Sequence, residues 1–237
     1  MSKAELLAKT QARIASACRK ANREPGSVQL LAVSKTFPLS DILEFNACGQ
    51  TAFGENYLQE AVDKITQLAD HPNAQTGASA IEWHFIGPIQ SNKTKPIAEH
   101  FQWVHSVDRL KIAQRLSDQR PGQLQPLNVL VQINTSGEAS KSGIDPGDAI
   151  ELCKTIHSLP NLRLRGLMTI PSNTDNEALL KAEFLQCKSV FDELNKQGLQ
   201  LDTLSMGMSA DLELAIECGS SCVRVGSALF GARNTNT

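Results

Sequence analysis

A lysine set at the end of a short apolar run is the first candidate for chemistry in this sequence. Leu30-Leu31-Ala32-Val33 reads as a strand, Ser34-Lys35-Thr36-Phe37 follows it, and Pro38 cannot extend a ladder. Burying a lysine either costs free energy or lowers its proton affinity, and an amine kept partly neutral traps carbonyls. The same residues also fit a lysine that has just reached solvent at a strand terminus. Two Gly/Ser stretches lie near the other end of the chain, Ser205-Met206-Gly207-Met208-Ser209 and Gly226-Ser227-Ala228-Leu229-Phe230-Gly231. Backbone N–H groups at a helix start, glycine allowing close approach and serine hydroxyls together make an anion site, although each stretch taken singly also reads as a turn.

The elements that must position these residues follow from periodicity and punctuation. Ser2-Lys3-Ala4-Glu5 fits a capping box, and Leu6, Leu7, Ile14, Ala17 and Cys18 recur at helical spacing, so a helix precedes the first strand, Gln29 to Val33. Ser40 is the candidate cap of a helix through Ala47; Thr51-Ala52-Phe53 is a second strand, and Leu58, Ala61, Val62, Ile65 and Leu68 stripe the next helix. Asp70 to Ala80 reads as a surface loop. Ile81 to Ile86 is strand three; Trp103 to Val107 is strand four, behind a helix near Lys93 to His100 and before one capped by Asp108. Leu127 to Ile133 is strand five, a helix started by Pro146 runs to about Ser158, and Leu162 to Leu167 is strand six. A long amphipathic helix over Asn176 to Lys196 precedes strand seven, Leu201 to Ser205. A helix over Asp211 to Glu217 then leads to strand eight, Cys222 to Val225.

Strands alternating with helices call for a parallel sheet, and eight repeats in 237 residues without a composition break predict one α/β domain over residues 1–237. The expected architecture is a single (βα)8 TIM barrel with an extra N-terminal helix. An open doubly wound sheet is the alternative, weakened because no G-x-G-x-x-G follows a strand. Lys plus Arg number 23 against 25 Asp plus Glu, a formal charge of −2, so no basic field recruits nucleic acid or an anionic membrane. Six cysteines without a CxxC pair fit a reducing cytosol. With neither a signal-peptide pattern nor a run of about eighteen apolar residues, the expectation is a soluble, cytoplasmic protein, by default a monomer.

In a parallel barrel the reactive face is the carboxyl end of the strands. That puts Lys35 after strand one, Asn56 after strand two, His84 near the end of strand three, Met168 after strand six and the Gly/Ser loops after strands seven and eight, where such barrels commonly bind phosphate. A lysine on one side and a phosphate cradle on the other point to a phosphorylated aldehyde bound as an imine, with pyridoxal 5′-phosphate (PLP) the obvious candidate. Arg224 faces inward if Val223 and Val225 face outward. Facing a pyridine nitrogen, an arginine opposes protonation there and weakens the ring as an electron sink; an interior ion pair is its other reading. His84 also fits a core histidine, Glu55, Asn56 and Tyr57 also fit helix capping, and packing is the plainer role for Met208.

Taken in series, six motifs resemble the YggS/PROSC family of PLP homeostasis proteins. They are Leu31-Ala32-Val33-Ser34-Lys35; Phe53-Gly54-Glu55-Asn56-Tyr57; Trp83-His84-Phe85-Ile86-Gly87 with Gln90-Ser91-Asn92-Lys93; Arg165-Gly166-Leu167-Met168; Leu204-Ser205-Met206-Gly207-Met208-Ser209 with Asp211; and Val223-Arg224-Val225-Gly226-Ser227-Ala228-Leu229-Phe230-Gly231. The resemblance runs from the first strand to Arg233. It implies a barrel similar to the N-terminal domain of alanine racemase, with Lys35 carrying PLP as an internal aldimine. It implies phosphate contacts from Ser205, Ser209, Gly226 and Ser227, with Gly207 in the same loop, ring contacts from Asn56, His84 and Met206, and Arg224 near the ring nitrogen.

Two function classes follow. The resemblance implies a carrier that buffers PLP or delivers it to PLP-dependent apoenzymes; the alternative is an amino-acid racemase using Lys35 as one base. Racemisation needs a proton donor on the opposite face of the substrate carbon. Alanine racemases take theirs from an additional β domain, whereas this chain stops soon after strand eight and has one tyrosine, Tyr57. A Schiff-base aldolase without cofactor lacks a nameable acid–base partner. Gly137 to Gly143 is no phosphate loop, because glycine does not precede Lys141, and Cys218 with Cys222 gives little support to a zinc site.

Overall fold

The Ser2 hydroxyl accepts from the Glu5 N–H at 3.3 Å and the Glu5 carboxylate accepts from the Ser2 N–H at 2.7 Å, so the expected capping box starts helix α1, Lys3–Lys20. The computed structural model describes residues 1–70, 80–138 and 141–231. In it, β1 (Gln29–Val33), β2 (Ala52–Glu55), β3 (Glu82–Phe85), β4 (Trp103–Val107), β5 (Leu127–Ile133), β6 (Leu162–Thr169), β7 (Thr203–Ser205) and β8 (Cys222–Val225) pair in parallel and in sequence order, and β8 closes on β1. The connecting helices are α2 (Leu39–Ala47), α3 (Leu58–Ala69), α4 (Thr94–His100, entered by a 3-10 turn over Ser91–Lys93), α5 (Leu110–Gln119), α6 (Ala149–His157), α7 (Glu177–Lys196) and α8 (Leu212–Glu217). A short α9 (Ser227–Phe230) follows β8. The expected (βα)8 barrel with a preceding helix is the fold observed.

Outward residues of the strands and the inner faces of the helices form one apolar layer that includes Phe45, Phe53, Phe101, Ile112, Leu116 and Phe184, all fully buried. Inside the barrel, Leu31, Ala52 and Cys222 form one small apolar cluster and Trp103, Leu130 and Met168 another. Helix α1 joins the outer layer through Leu7, Ile14, Ala17 and Cys18 and packs across α2, α8 and α9. It thereby covers the seam where the barrel closes.

Local chemistry moves several boundaries. Helix α2 starts at Leu39 behind Pro38 without a side-chain cap, so Ser40 sits inside the first turn rather than capping it. The α6 start shifts from Pro146 to Ala149, because the Asp145 carboxylate takes the Gly147 N–H at 2.8 Å and its carbonyl the Asp148 N–H at 3.0 Å, spending those residues on a turn. Asp108 pairs with Arg109 at 2.8 Å instead of capping α5, whose N-terminal flank is Arg109 in an extended conformation. Strand β2 runs on to Glu55 and β6 to Thr169, placing Met168 within the strand, whereas β7 begins only at Thr203. Nine residues of the expected Asp70–Ala80 loop lie outside the described residues, as does Arg233.

Strand β6 slips register against β5 between Leu164 and Gly166. At Gly166 a Cβ would sit 1.7 Å from the Thr203 carbonyl oxygen, so only glycine lets β6 and β7 approach. Gly166→Ala is expected to destabilise the barrel by about 3 kcal/mol or more through forced strand separation. A urea midpoint indistinguishable from wild type would contradict this packing.

Candidate functional site

At the carboxyl ends of the strands lies a cavity of about 760 Å³, within the size range of small-molecule sites. Val33, Lys35, Asn56, Ile86, Gln132, Met168, Ser209, Arg224, Gly226 and Ser227 are among its walls. Lys35 and the loops after β7 and β8 therefore face one common space. The lysine loop and the β8 loop are joined by Phe37 stacked on Phe230, with centroids 4.9 Å apart, and Phe45 meets the same ring edge-on at 4.8 Å.

The turn carrying Lys35 is pinned through both of its neighbours. Glu55, fully buried at the end of β2, accepts the Ser34 hydroxyl at 2.6 Å and Lys64 Nζ of α3 at 2.9 Å. Lys64 also donates to the Ser34 carbonyl at 3.1 Å and to Glu60 at 2.6 Å, and Glu60 accepts the Thr36 N–H at 2.7 Å. Thr36 has a φ of +69°, a left-handed conformation unfavourable for a β-branched residue, which these bonds hold in place. Burial pushes the Glu55 carboxyl above the usual carboxylate range, opposed by Lys64 and Ser34, and Glu55 Oε2 has no partner among the described residues. Glu55 thus anchors the lysine loop; it does not cap α3, which starts behind Tyr57 without a side-chain cap.

Arg224 faces inward as the alternation of β8 requires, while Val223 and Val225 join the outer layer. Its Nη1 donates to the Ser205 carbonyl at 2.8 Å and hydroxyl at 2.7 Å, and its Nη2 to the Thr169 carbonyl at 2.9 Å. Neutral oxygens rather than a carboxylate hold it, so its charge is left for the cavity. On the β7 loop, Arg13 of α1 donates to the Ser209 carbonyl at 2.9 Å and pairs with Glu213. The extra helix therefore braces one wall of the site.

The expected residues divide into two groups. Lys35, Asn56, Ser209, Arg224, Gly226 and Ser227 line the cavity, joined by Met208, which the sequence suggested as packing, and by Lys141 at the mouth. Ser205, Met206, Gly207 and His84 do not line it. Ser205 is fully buried, its hydroxyl bonded to Arg224 and His105. Met206 packs in the outer apolar layer, and at Gly207 a Cβ would come 2.5 Å from the Ala215 Cβ, so that glycine serves loop–helix packing. His84 sits deeper in the barrel, bonded to His105 at 2.9 Å and Glu82 at 3.1 Å. Sequence reasoning passed over His105, whose signal was its period-two spacing from Trp103 on β4.

A parallel barrel whose first strand presents a lysine opposite two Gly/Ser loops is one form of the alanine racemase N-terminal domain, and the family profile of that description matches residues 7–234. Curated relatives include proteins named pyridoxal phosphate homeostasis protein. That of Pseudomonas aeruginosa is 58% identical over 98% of this chain and 96% of its own, and that of Escherichia coli 50% identical over 96% and 95%. PipY of Synechococcus elongatus, solved with PLP bound, is 36% identical with a TM-score of 0.82, over 97% of this chain and 100% of that one. The chain belongs to the alanine racemase N-terminal-domain family and, within it, to the YggS/PROSC family of pyridoxal phosphate homeostasis proteins. Alanine racemase of Corynebacterium glutamicum, 17% identical at a TM-score of 0.66, shares the fold over 62% of its own length.

Two outcomes test this geometry. Lys64→Met strips the counter-charge from buried Glu55, so stability should fall by about 3–5 kcal/mol and the Thr36 amide should exchange faster with solvent; unchanged Thr36 exchange would dissociate the network from the lysine turn. Burial holds both His84 and His105 below the usual imidazole range, although Glu82 partly restores His84. The unfolded chain then binds more protons than the native one as pH drops below about 6.5, so folding stability should decline on acidification by up to about 1.4 kcal/mol per pH unit per histidine. His105→Gln should flatten that slope in pH-resolved urea titrations.

Proposed function

We propose that this protein holds PLP on Lys35 and serves as an intracellular carrier, buffering the cofactor and releasing it to PLP-dependent apoenzymes in the cytoplasm, as a monomer and without turnover of its own. PLP supplies an aldehyde that condenses with a primary amine and an anionic phosphate that needs donors. The residues fit that group. Lys35, from β1, and Ser209, Gly226 and Ser227, from the loops after β7 and β8, surround one space of about 760 Å³, and Arg224 offers a cation between them. This convergence is the observation that carries the reading, and the PLP-bound relative supports it. In this arrangement Lys35 would hold the aldehyde end, Ser209, Gly226 and Ser227 would hold the phosphate, and Val33, Ile86 and Met168 would supply apolar walls that exclude water.

The racemase reading lacks its second base. No Cys, His, Tyr, Asp or Glu is found among the described residues of the cavity wall. Tyr57 is half exposed and lines a separate groove with Gln59 and Lys93. Lys141, the other amine at the mouth, is held by Glu138 at 2.8 Å and by the Pro171 carbonyl at 3.0 Å. A wall that grips a cofactor but offers no opposed proton donor favours binding over exchange.

Protein incubated with PLP should absorb at the edge of the visible, and borohydride should fix the adduct on Lys35. Lys35→Ala should lose both; a principal adduct on another lysine would reject the assignment. Ser227→Asp should weaken PLP retention at least tenfold through like-charge repulsion with the phosphate, read by equilibrium dialysis. Loaded protein should reactivate a PLP-requiring apoenzyme while exchanging amino-acid α-protons at no more than the rate of free PLP, and robust exchange would favour the racemase.

A further inference from the structure

Between the cavity and the opposite end of the barrel runs an unbroken line of hydrogen bonds. Arg224 Nη1 lies 2.7 Å from Ser205 Oγ, Ser205 Oγ 3.0 Å from His105 Nδ1, His105 Nε2 2.9 Å from His84 Nδ1, and His84 Nε2 3.1 Å from Glu82 Oε2. The four inner residues are buried, whereas the Glu82 side chain keeps 38% of its surface in contact with solvent at the start of β3. Its other carboxylate oxygen accepts the Trp103 indole N–H at 2.8 Å. The indole lies flat against His84, at 5.3 Å between centroids and 7° between planes, with the Arg165 guanidinium 4.6 Å from its centre.

The direction of every proton on this line can be deduced. A guanidinium only donates and a carboxylate only accepts, while a neutral imidazole donates from one nitrogen and accepts at the other. Beginning at Glu82, His84 donates from Nε2, which leaves its Nδ1 an acceptor. His105 must then donate from Nε2, leaving its own Nδ1 to accept the Ser205 hydroxyl proton. Ser205 Oγ, its proton committed, turns a lone pair to Arg224. Four contacts share four protons with both rings neutral.

We propose that Glu82, His84, His105 and Ser205 form a polarised relay that positions Arg224, so that an acceptor at one end of the barrel orients the cation in the cavity at the other. Its functional meaning rests on the PLP reading of that cavity; its physical content does not. The Ser205 and Thr169 carbonyls locate the guanidinium, and the relay sets the third oxygen contact, the Ser205 hydroxyl. In Glu82→Gln the amide oxygen stays with the Trp103 N–H and its NH2 faces His84, which must then accept at Nε2. The whole line reverses, His105 donates from Nδ1 to Ser205, and the hydroxyl proton is driven out of its place, disturbing the Arg224 contact.

The test uses full-length protein without added PLP, labelled with 15N in histidine and arginine, at neutral pH. Wild type should show both His84 and His105 as neutral Nε2–H tautomers. Glu82→Gln should convert both rings to Nδ1–H and shift the Arg224 Nη resonances, whereas Asp202→Asn, which removes the partner of Arg165 at the same rim, should leave both tautomers alone. A wild-type ring that is doubly protonated or carries its proton on Nδ1 would overturn the relay, as would a Glu82→Gln protein in which His84 converts and His105 or Arg224 does not. Should Glu82→Gln fail to fold, Ser205→Ala reads the line from the other end: Arg224 should shift with both rings still Nε2–H, and an unmoved Arg224 signal would refute its positioning. Because PLP is absent, failure here is separate from failure of Lys35 to load.

Discussion

The pairing of β8 with β1 is the constraint on which the site depends. Leu31 opposite Arg224 and Ala32 opposite Val225 fix a register in which the arginine enters the barrel and the valines leave it. A slip of one residue would exchange those faces, burying a guanidinium among helices and turning apolar side chains onto the cavity. The same pairing carries the chain out of both strands at one rim, so the Lys35 turn and the Gly226-Ser227 loop become neighbours although nearly the whole sequence separates them. The stacked Phe37 and Phe230 rings are where that neighbourhood is packed.

Around this seam the structure uses polar groups that a purely apolar barrel would avoid. A buried carboxylate and ammonium, Glu55 and Lys64, hold the lysine turn in a conformation its own backbone disfavours. Removing Lys64 leaves the Glu55 carboxylate buried without its counter-charge, which makes the pair a constraint on geometry more than a source of stability. The Glu82 to Arg224 line is a second such structure, satisfied at every atom by neutral imidazoles. Helix α1, an addition to the repeating unit, fastens the outside of the same seam and reaches the Ser209 loop through Arg13. The result is a pocket that brings the Lys35 amine, the Arg224 guanidinium and the Gly/Ser loops after β7 and β8 to one space.

Some of this was legible in the residues and some was not, for identifiable reasons. Lys35 stood out because a strand end followed by proline isolates it, and Gly226-Ser227 because a second Gly/Ser stretch falls after the neighbouring strand, although either stretch alone also reads as a turn. Ser205, Met206 and Gly207 belonged to an equally suggestive stretch, yet they turn to Arg224, to the apolar layer and to α8 respectively. A three-residue β7 ends before the loop reaches the mouth, so only Met208, Ser209 and Ala210 arrive at the cavity. Glu55 looked like a helix cap because its partner Lys64 lies on the next helix, where a lone lysine reads as solvated. Helix starts were misjudged where a turn took the same donors first, as at Asp145.

The sequence by itself determined the alternation of strands and helices, the parallel barrel this alternation demands, and the identity of the lysine and the glycine-rich loops, because these depend on periodicity and on backbone preferences that are local. Which side chains share the cavity, which retreat into the barrel, and the course of the line from Glu82 to Arg224 were decided only by tertiary structure. Strand register and barrel closure set those distances, and a one-residue choice of register inverts every side chain while leaving the local pattern unchanged.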